Sequence, residues 1–415
     1  TALYSVGFTS ALFMVAAWLL LGPISGALGY AAHPEYVGMM AGIVAVDAFC
    51  CLPFAYLRYR NKAVRFAAIK LANIFLNIVL NIFFLVVCPR LNESHPEWIA
   101  WFYRPGYGIG YIFLTNVFTT ATTLLMLLPD MMPGLRARSD AARLRQMLAY
   151  SFPILILSIA GIFNQTADKI LFPFLFADKA EADAQLGIYG ACFKIAVVMV
   201  MFIQAFRYAY EPFVFAKTRD ADNRRSYVEA MRYFIIFSWV IFLGVTFYLD
   251  LLKHYVDARY YAGLSVVPIV MLGELFFGIY FNLSVWYKLT DRTQWGAYFS
   301  TAGCVMTVAV IVLFVPRFGF MACAWASFAS NLLMMVLSYL VGRRYYPVPY
   351  DLRSAAFYTL LAAAFFAAGM WPEIDNTVWR MAYRTALLIV FVGIIIKRDL
   401  PLSELPLIHR RRKAA

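Results

Sequence analysis

The chain has 415 residues, 63% of them apolar and only 14% charged, with a formal net charge of +13 and a mean hydropathy of +0.70. Soluble domains carry about 25% charged residues, so this composition excludes a secreted enzyme, a DNA-binding domain and a coiled coil. At roughly 20 apolar residues per crossing, it supplies on the order of a dozen membrane-spanning helices.

Breaking the apolar runs at polar clusters predicts twelve helices, over residues 3–30, 36–57, 66–88, 107–128, 147–176, 186–215, 227–249, 264–289, 295–315, 320–342, 352–371 and 378–396. No run alternates with the period of a barrel strand, so the expected fold class is an all-α polytopic membrane protein. The chain opens at Thr1 on an apolar run with no basic leader, and the expectation is that the natural N-terminus lies upstream. Cys50, Cys51, Cys88, Cys192, Cys304 and Cys323 lie in or beside apolar runs without CxxC or CxxH spacing, and read as small core hydrophobes.

Basic residues concentrate in alternate connections. One set holds Arg58, Arg60, Lys62 and Arg65; Arg136, Arg138, Arg143 and Arg145; Lys217, Arg219, Arg224 and Arg225; Lys288 and Arg292; Arg343, Arg344 and Arg353; and a tail from Lys397 to Lys413. The opposite set is thin in Lys and Arg and contains the acidic loop Asp178, Glu181 and Asp183. Short basic loops stay cytoplasmic, which predicts both termini on the cytoplasmic side. The same rule accounts for the positive charge without a nucleic-acid partner, and the tail suits anionic lipid headgroups. The longest basic connection divides the helices into lobes: 1–129 with four helices, a connection over 130–146, 147–342 with six helices, an extra pair over 343–397 and a basic tail over 398–415.

Ionisable groups inside membrane spans are costly and usually face a bundle interior or an aqueous cavity. In chain order the first is Asp47, an isolated carboxylate. Lys70, Asn73, Asn77 and Asn81 follow at spacings of three and four, one polar stripe on one helical face, suited either to interhelical hydrogen bonds or to a cavity wall. Asn164, Gln165, Asp168 and Lys169 interrupt the fifth span. The sixth carries Lys194, then Gln204, Arg207 and Glu211 on one face; Arg207 and Glu211 stand four apart, as an intrahelical ion pair would. Lys194 has no charged neighbour at helical spacing and suits an anionic ligand group or snorkelling. Glu274 is a second isolated carboxylate. Asp47, Asp168, Glu211 and Glu274 are therefore candidates for coupling to a proton or sodium ion, and Lys70, Asn73, Asn77, Lys169, Lys194, Gln204 and Arg207 are candidates for lining a substrate cavity. His33, His95, His254 and His409 fall in loops or the tail, so no catalytic, metal or cofactor site is expected.

Several strings carry a resemblance: residues 52–63 (LPFAYLRYRNKA), Lys70-Leu-Ala-Asn73-Ile-Phe-Leu-Asn77, 186–194 (LGIYGACFK), 202–213 (FIQAFRYAYEPF) and 286–293 (WYKLTDRT). They resemble the Wzx-like polysaccharide-flippase branch of the multidrug/oligosaccharidyl-lipid/polysaccharide exporter superfamily. The resemblance implies two six-helix lobes around a central cavity, an additional C-terminal helix pair, and here the loss of the first two helices. It also implies an undecaprenyl-diphosphate-linked oligosaccharide as substrate, turned across a bacterial plasma membrane, with membrane lipids and other polysaccharide-assembly proteins as partners. Lys70, Lys169, Lys194 and Arg207 would then meet the diphosphate through charge-assisted hydrogen bonds. The rival expectations are a cation-coupled drug or metabolite antiporter, whose cavity should favour carboxylates, and an integral-membrane polysaccharide polymerase or ligase. The longest extracytoplasmic loop, 89–105, is short for such an enzyme.

Overall fold

The structure is a computed structural model describing residues 1–60, 62–135, 140–176, 178–216, 223–290, 292–372 and 374–399; the side chains of 63, 133, 135, 153, 154, 156–158, 160, 164, 211–216 and 223 fall outside that description. All regular structure among these residues is helical: α1 Ala2–Leu19, α2 Leu21–Ala27, α3 Pro34–Tyr59, α4 Ala63–Ile82, α5 Cys88–Ser94, α6 Pro96–Ile99, α7 Gly110–Leu135, α8 Ala141–Leu171, α9 Lys179–Ala216, α10 Asn223–Phe247, α11 Leu249–Leu252, α12 Val266–Leu283, α13 Val285–Leu289, α14 Gln294–Phe318, α15 Phe320–Tyr345, α16 Leu352–Met370 and α17 Thr377–Asp399. Among the described residues, eleven helical stretches are long and apolar enough to cross a bilayer. In lipid every backbone N–H and C=O must be satisfied within the protein, and a helix does this within one segment. The expected span over 147–176 falls on α8, several of whose side chains lie outside the described residues.

The expected helix boundaries shift where local chemistry intervenes. The run over 3–30 divides at Leu20 into α1 and α2, with Pro23 in the first turn of α2, where a missing N–H costs no intrahelical bond. The run over 66–88 continues from α4 through a π turn, Phe83–Val87, into α5. Pro89 has no N–H to donate and its ring crowds the preceding turn, so the ladder widens just before it, with Cys88 N–H reaching the Phe83 carbonyl.

The chain divides into two compact units, Thr1–Pro153 and Ile154–Ala415. In the first, α3 packs against α1 and α7, and α4 against α7. Its apolar centre is small: Cys50, Phe54 and Leu57 of α3 with Ile69 of α4 and Leu127 and Met131 of α7. Two basic residues preceding and opening α4 close one end by reaching the buried Asp130 carboxylate, Arg65 Nη2 at 3.0 Å and Lys62 Nζ at 3.8 Å. Aromatic rings close the other: Tyr103 stacks on Tyr111 at 5.2 Å, and Tyr36 donates its hydroxyl hydrogen to the Tyr107 carbonyl at 3.2 Å.

The second unit has a continuous core drawn from α9, α10, α12, α14, α15, α16 and α17. Close approach of α12 to α15 depends on Gly273, where a Cβ would stand 3.2 Å from the Phe328 backbone. The α14–α15 corner turns at Gly319, whose φ of +55° is strained for any side chain, and Gln185 of α9 fills the space beside it, its Oε1 accepting from the Phe320 N–H at 3.3 Å. Two ion clusters fix α17. At one end Arg380 and Arg384 both reach the Asp250 carboxylate at 2.9 Å, with Lys253 at 3.6 Å, and the buried Arg384 also donates to the carbonyls of Phe247 and Gly369. At the other end the enclosed Asp399 carboxylate pairs with Arg232 of α10 and accepts from the Tyr358 hydroxyl of α16.

Candidate functional site

Polar side chains inside the spans have different surroundings in the two units. In the first unit the α4 stripe lies against α7. Asn73 Nδ2 donates to Thr123 Oγ1 at 2.7 Å and to the Thr119 carbonyl at 3.2 Å; Asn77 Nδ2 donates to Asn116 Oδ1 at 2.9 Å; Asn81 donates back to Asn77. These amides form an interhelical zipper, one of the two roles their spacing allowed. Lys70 stands at the edge of the stripe, exposed, with its ammonium 4.3 Å from the centroid of Phe54. Asp47 is exposed on α3.

In the second unit polar groups converge on a cavity of about 250 Å³. Gln165, Asp168 and Lys169 enter from α8, Tyr189 and Gln204 from α9, Glu274 from α12, Thr307 from α14, and Ser327, Ser330 and Asn331 from α15. Helical phase explains the convergence of the last three, which stand at i, i+3 and i+4 and share one face. Asp168 is 8% exposed and accepts from the Lys169 backbone N–H at 2.9 Å. Tyr189 is 1% exposed; its enclosed hydroxyl makes no hydrogen bond of normal geometry and has the Asp168 carboxylate as its electrostatic neighbour. Glu274 faces the cavity without a hydrogen-bond donor or ion-pair partner among the described residues, and feels Lys169 and Asp168 through space. The Lys169 ammonium rests 4.8 Å from the ring centroid of Phe193 and pairs with neither carboxylate. Two carboxylates and one ammonium leave the cavity lining one negative charge in excess when all three ionise.

Of the expected site residues, Lys169, Gln204, Asp168 and Glu274 thus meet in one place. Lys194 is exposed on α9 outside the cavity lining. Arg207 sits further along α9, its guanidinium 4.4 Å over the Phe281 ring, whose centroid Lys288 also approaches at 4.6 Å. The side chains of Glu211 and Asn164 lie outside the described residues. Tyr189, Thr307, Ser330 and Asn331 were missed by sequence reasoning. The Ser327, Ser330, Asn331 spacing was a usable signal; Tyr189 carries none, because tyrosine is common in spans. Among the described residues no three His, Cys, Asp or Glu side chains gather as a metal site.

A larger cavity of about 570 Å³ lies between α10, α12, α15 and α16. It is lined by apolar side chains such as Ile235, Trp239, Phe276 and Leu360, with Arg232, Asp351 and Ser354 among its few polar groups. It has the volume for an extended hydrocarbon chain but little polar chemistry, so the smaller cavity is the candidate for charge recognition.

The all-helical fold is shared with solved structures of membrane transporters, and α16 and α17 form its C-terminal end. Among solved structures, the chain is similar to the lipid II flippase MurJ in an inward closed conformation, with a TM-score of 0.68 and 12% identity over 95% of this chain and 83% of that one. It is also similar to a mutant of the Vibrio cholerae MATE transporter VcmN, with a TM-score of 0.58 and 11% identity over 82% of this chain and 77% of that one. A MATE protein in the straight conformation gives 0.58 and 12% over 86% and 78%. No family model matches the sequence, and no curated protein matches it.

Proposed function

We propose that the chain is a membrane transporter working by alternating access, and that its substrate is a polyprenyl-diphosphate-linked oligosaccharide moved across a bacterial plasma membrane for surface polysaccharide assembly. The observation that carries transport is the small polar cavity: two carboxylates, a lysine and an enclosed tyrosine hydroxyl inside an apolar helical unit. Such an arrangement is expensive to bury and has a use if a small cation enters it. In this reading Asp168 and Glu274 couple transport to a proton or sodium ion, and the connections rich in Lys and Arg face the cytoplasm.

The lipid-linked substrate is favoured by two further observations. The apolar cavity beside α16 has room for a hydrocarbon chain. The twentieth of this chain left uncovered by the MurJ match is shorter than α16 and α17 together, which have 19 and 23 residues. Arg207 and Lys288, converging on Phe281, are the cations best placed to meet a diphosphate. Lys70 and Lys194 are each exposed on their own helix, without a second cation converging on the same ring.

A second reading is a cation-coupled antiporter for drugs or metabolites, favoured by the excess of carboxylate over ammonium in the polar cavity. One experiment separates the two: mass spectrometry of polyprenyl-linked oligosaccharides, with assignment of their leaflet, in cells lacking the gene. Accumulation of complete units on the cytoplasmic leaflet supports the flippase. Unchanged lipid-linked pools with retained drugs or small cations support the antiporter, and unpolymerised units on the outer leaflet support a polymerase or ligase.

A further inference from the structure

The polar cavity of the second unit contains its own cation. Lys169 extends from α8 beside Asp168, within electrostatic reach of Glu274, yet rests over Phe193 and pairs with neither carboxylate. With Lys169 and both carboxylates charged, the lining lacks one positive charge for neutrality, which is the charge of one small monovalent cation. A cation–π contact is weak beside a carboxylate–ammonium contact in a low dielectric, and a lysine stem of four methylenes turns about Cα without moving α8.

We propose that Lys169 is a tethered competitor of the coupling cation: it stands over Phe193 while a monovalent cation occupies the site, and swings onto the Asp168 and Glu274 carboxylates when that cation leaves. The device keeps the carboxylates compensated at both stages of the cycle, because two bare carboxylates sharing a cavity repel each other strongly. It also makes cation release self-completing, since the lysine takes the place the cation vacates. The inference rests on the reading of this cavity as a cation-coupling site and assigns the residue that sets its affinity. The other groups facing Lys169 are Tyr189 and Gln204 from α9, Glu274 from α12, Thr307 from α14, and Cys323, Ser330 and Asn331 from α15. Glu274 is the only carboxylate among these, so the competition is between Lys169 and the incoming cation for Asp168 and Glu274.

The test uses the purified full chain and two probes. Radioactive sodium binding at pH 8 measures the half-saturating concentration, and infrared difference spectroscopy across pH follows the carbonyl band of a protonated carboxylic acid in sodium-free buffer. For a sodium-coupled protein, Lys169→Met lowers the half-saturating sodium concentration about tenfold, Lys169→Arg stays near wild type, and Glu274→Gln abolishes binding. For a proton-coupled protein, Lys169→Met moves the protonation midpoint up by about one pH unit, and Glu274→Gln removes or shifts the band. Lys169→Gln serves in place of the methionine variant if that chain does not elute as a single species. Unchanged or weaker cation binding in both neutral Lys169 variants, with loss in Glu274→Gln, overturns the role of Lys169 and leaves the coupling site standing. Sodium binding and carboxyl protonation that are both indifferent to Glu274→Gln overturn the coupling site and the inference together.

Discussion

The two units treat intramembrane polar residues in opposite ways. On α4 of the first unit, Asn73 and Asn77 meet Thr119, Thr123 and Asn116 at matching levels of α7, and donors and acceptors pair across the helix interface. In the second unit Asp168, Lys169 and Glu274 come from α8 and α12 and meet across open space, with Tyr189 enclosed beside Asp168. The difference shows that helical spacing identifies a polar face without assigning its role. What decides is whether the facing helix presents a complementary group at the same depth, which is a property of the neighbour.

Substitutions sharpen that contrast. The largest effect is expected where the second unit uses charge for architecture: Asp250→Ala strips Arg380, Arg384 and Lys253 of their shared carboxylate. Leaving a partly buried cationic cluster uncompensated costs about 3 kcal/mol, read as a lower thermal midpoint of the purified protein. Glu274→Gln is expected to act on function instead, lowering transport at least tenfold, or about 1.4 kcal/mol in the barrier, with the thermal midpoint little changed. A comparable fall in stability would place Glu274 with Asp250 among the structural charges. Asn73→Ala is smaller again. Interhelical hydrogen bonds in membrane proteins average about 0.6 kcal/mol, so a slight loss of thermal stability with transport intact is expected; a lost transport rate would turn the α4 zipper into a second functional site.

The smallest effect lies outside the membrane. Asp257 caps the turn Ala258–Gly263, and the Arg259 backbone N–H, with the Arg259 side chain, holds its carboxyl below the usual range. A carboxyl with a lowered folded-state pKa stabilises fully above its unfolded value, and that contribution is lost as pH falls through the folded value. Asp257→Asn should therefore lower stability slightly at neutral pH, with the difference from wild type closing as pH falls through the acid limb, read as a thermal midpoint measured across pH.

The helical class and most spans were legible in composition and run length, because a bilayer demands long apolar helices whatever their packing. The division at Leu20 and the π turn before Pro89 were not resolved, since each depends on local backbone hydrogen bonding within an unbroken apolar run. In the site, Asp168, Lys169, Gln204 and Glu274 were visible as polar residues in spans. The ring under each cation was not: Phe193 lies a helix away from Lys169, and Phe54 from Lys70, so only tertiary packing pairs them. The Asp250 and Asp399 clusters were hidden for the same reason, their arginine partners lying more than a hundred residues away in sequence.

The most direct test of the assignment of function to the second-unit cavity compares two variants in one assay. Cells whose gene is replaced by Glu274→Gln or by Asn77→Ala are scored for lipid-linked oligosaccharide on each leaflet, at matched protein levels. The account predicts cytoplasmic accumulation in the Glu274 variant and a wild-type distribution in the Asn77 variant. A wild-type distribution in the Glu274 variant, with accumulation in the Asn77 variant, would contradict it and move the working site to the first unit.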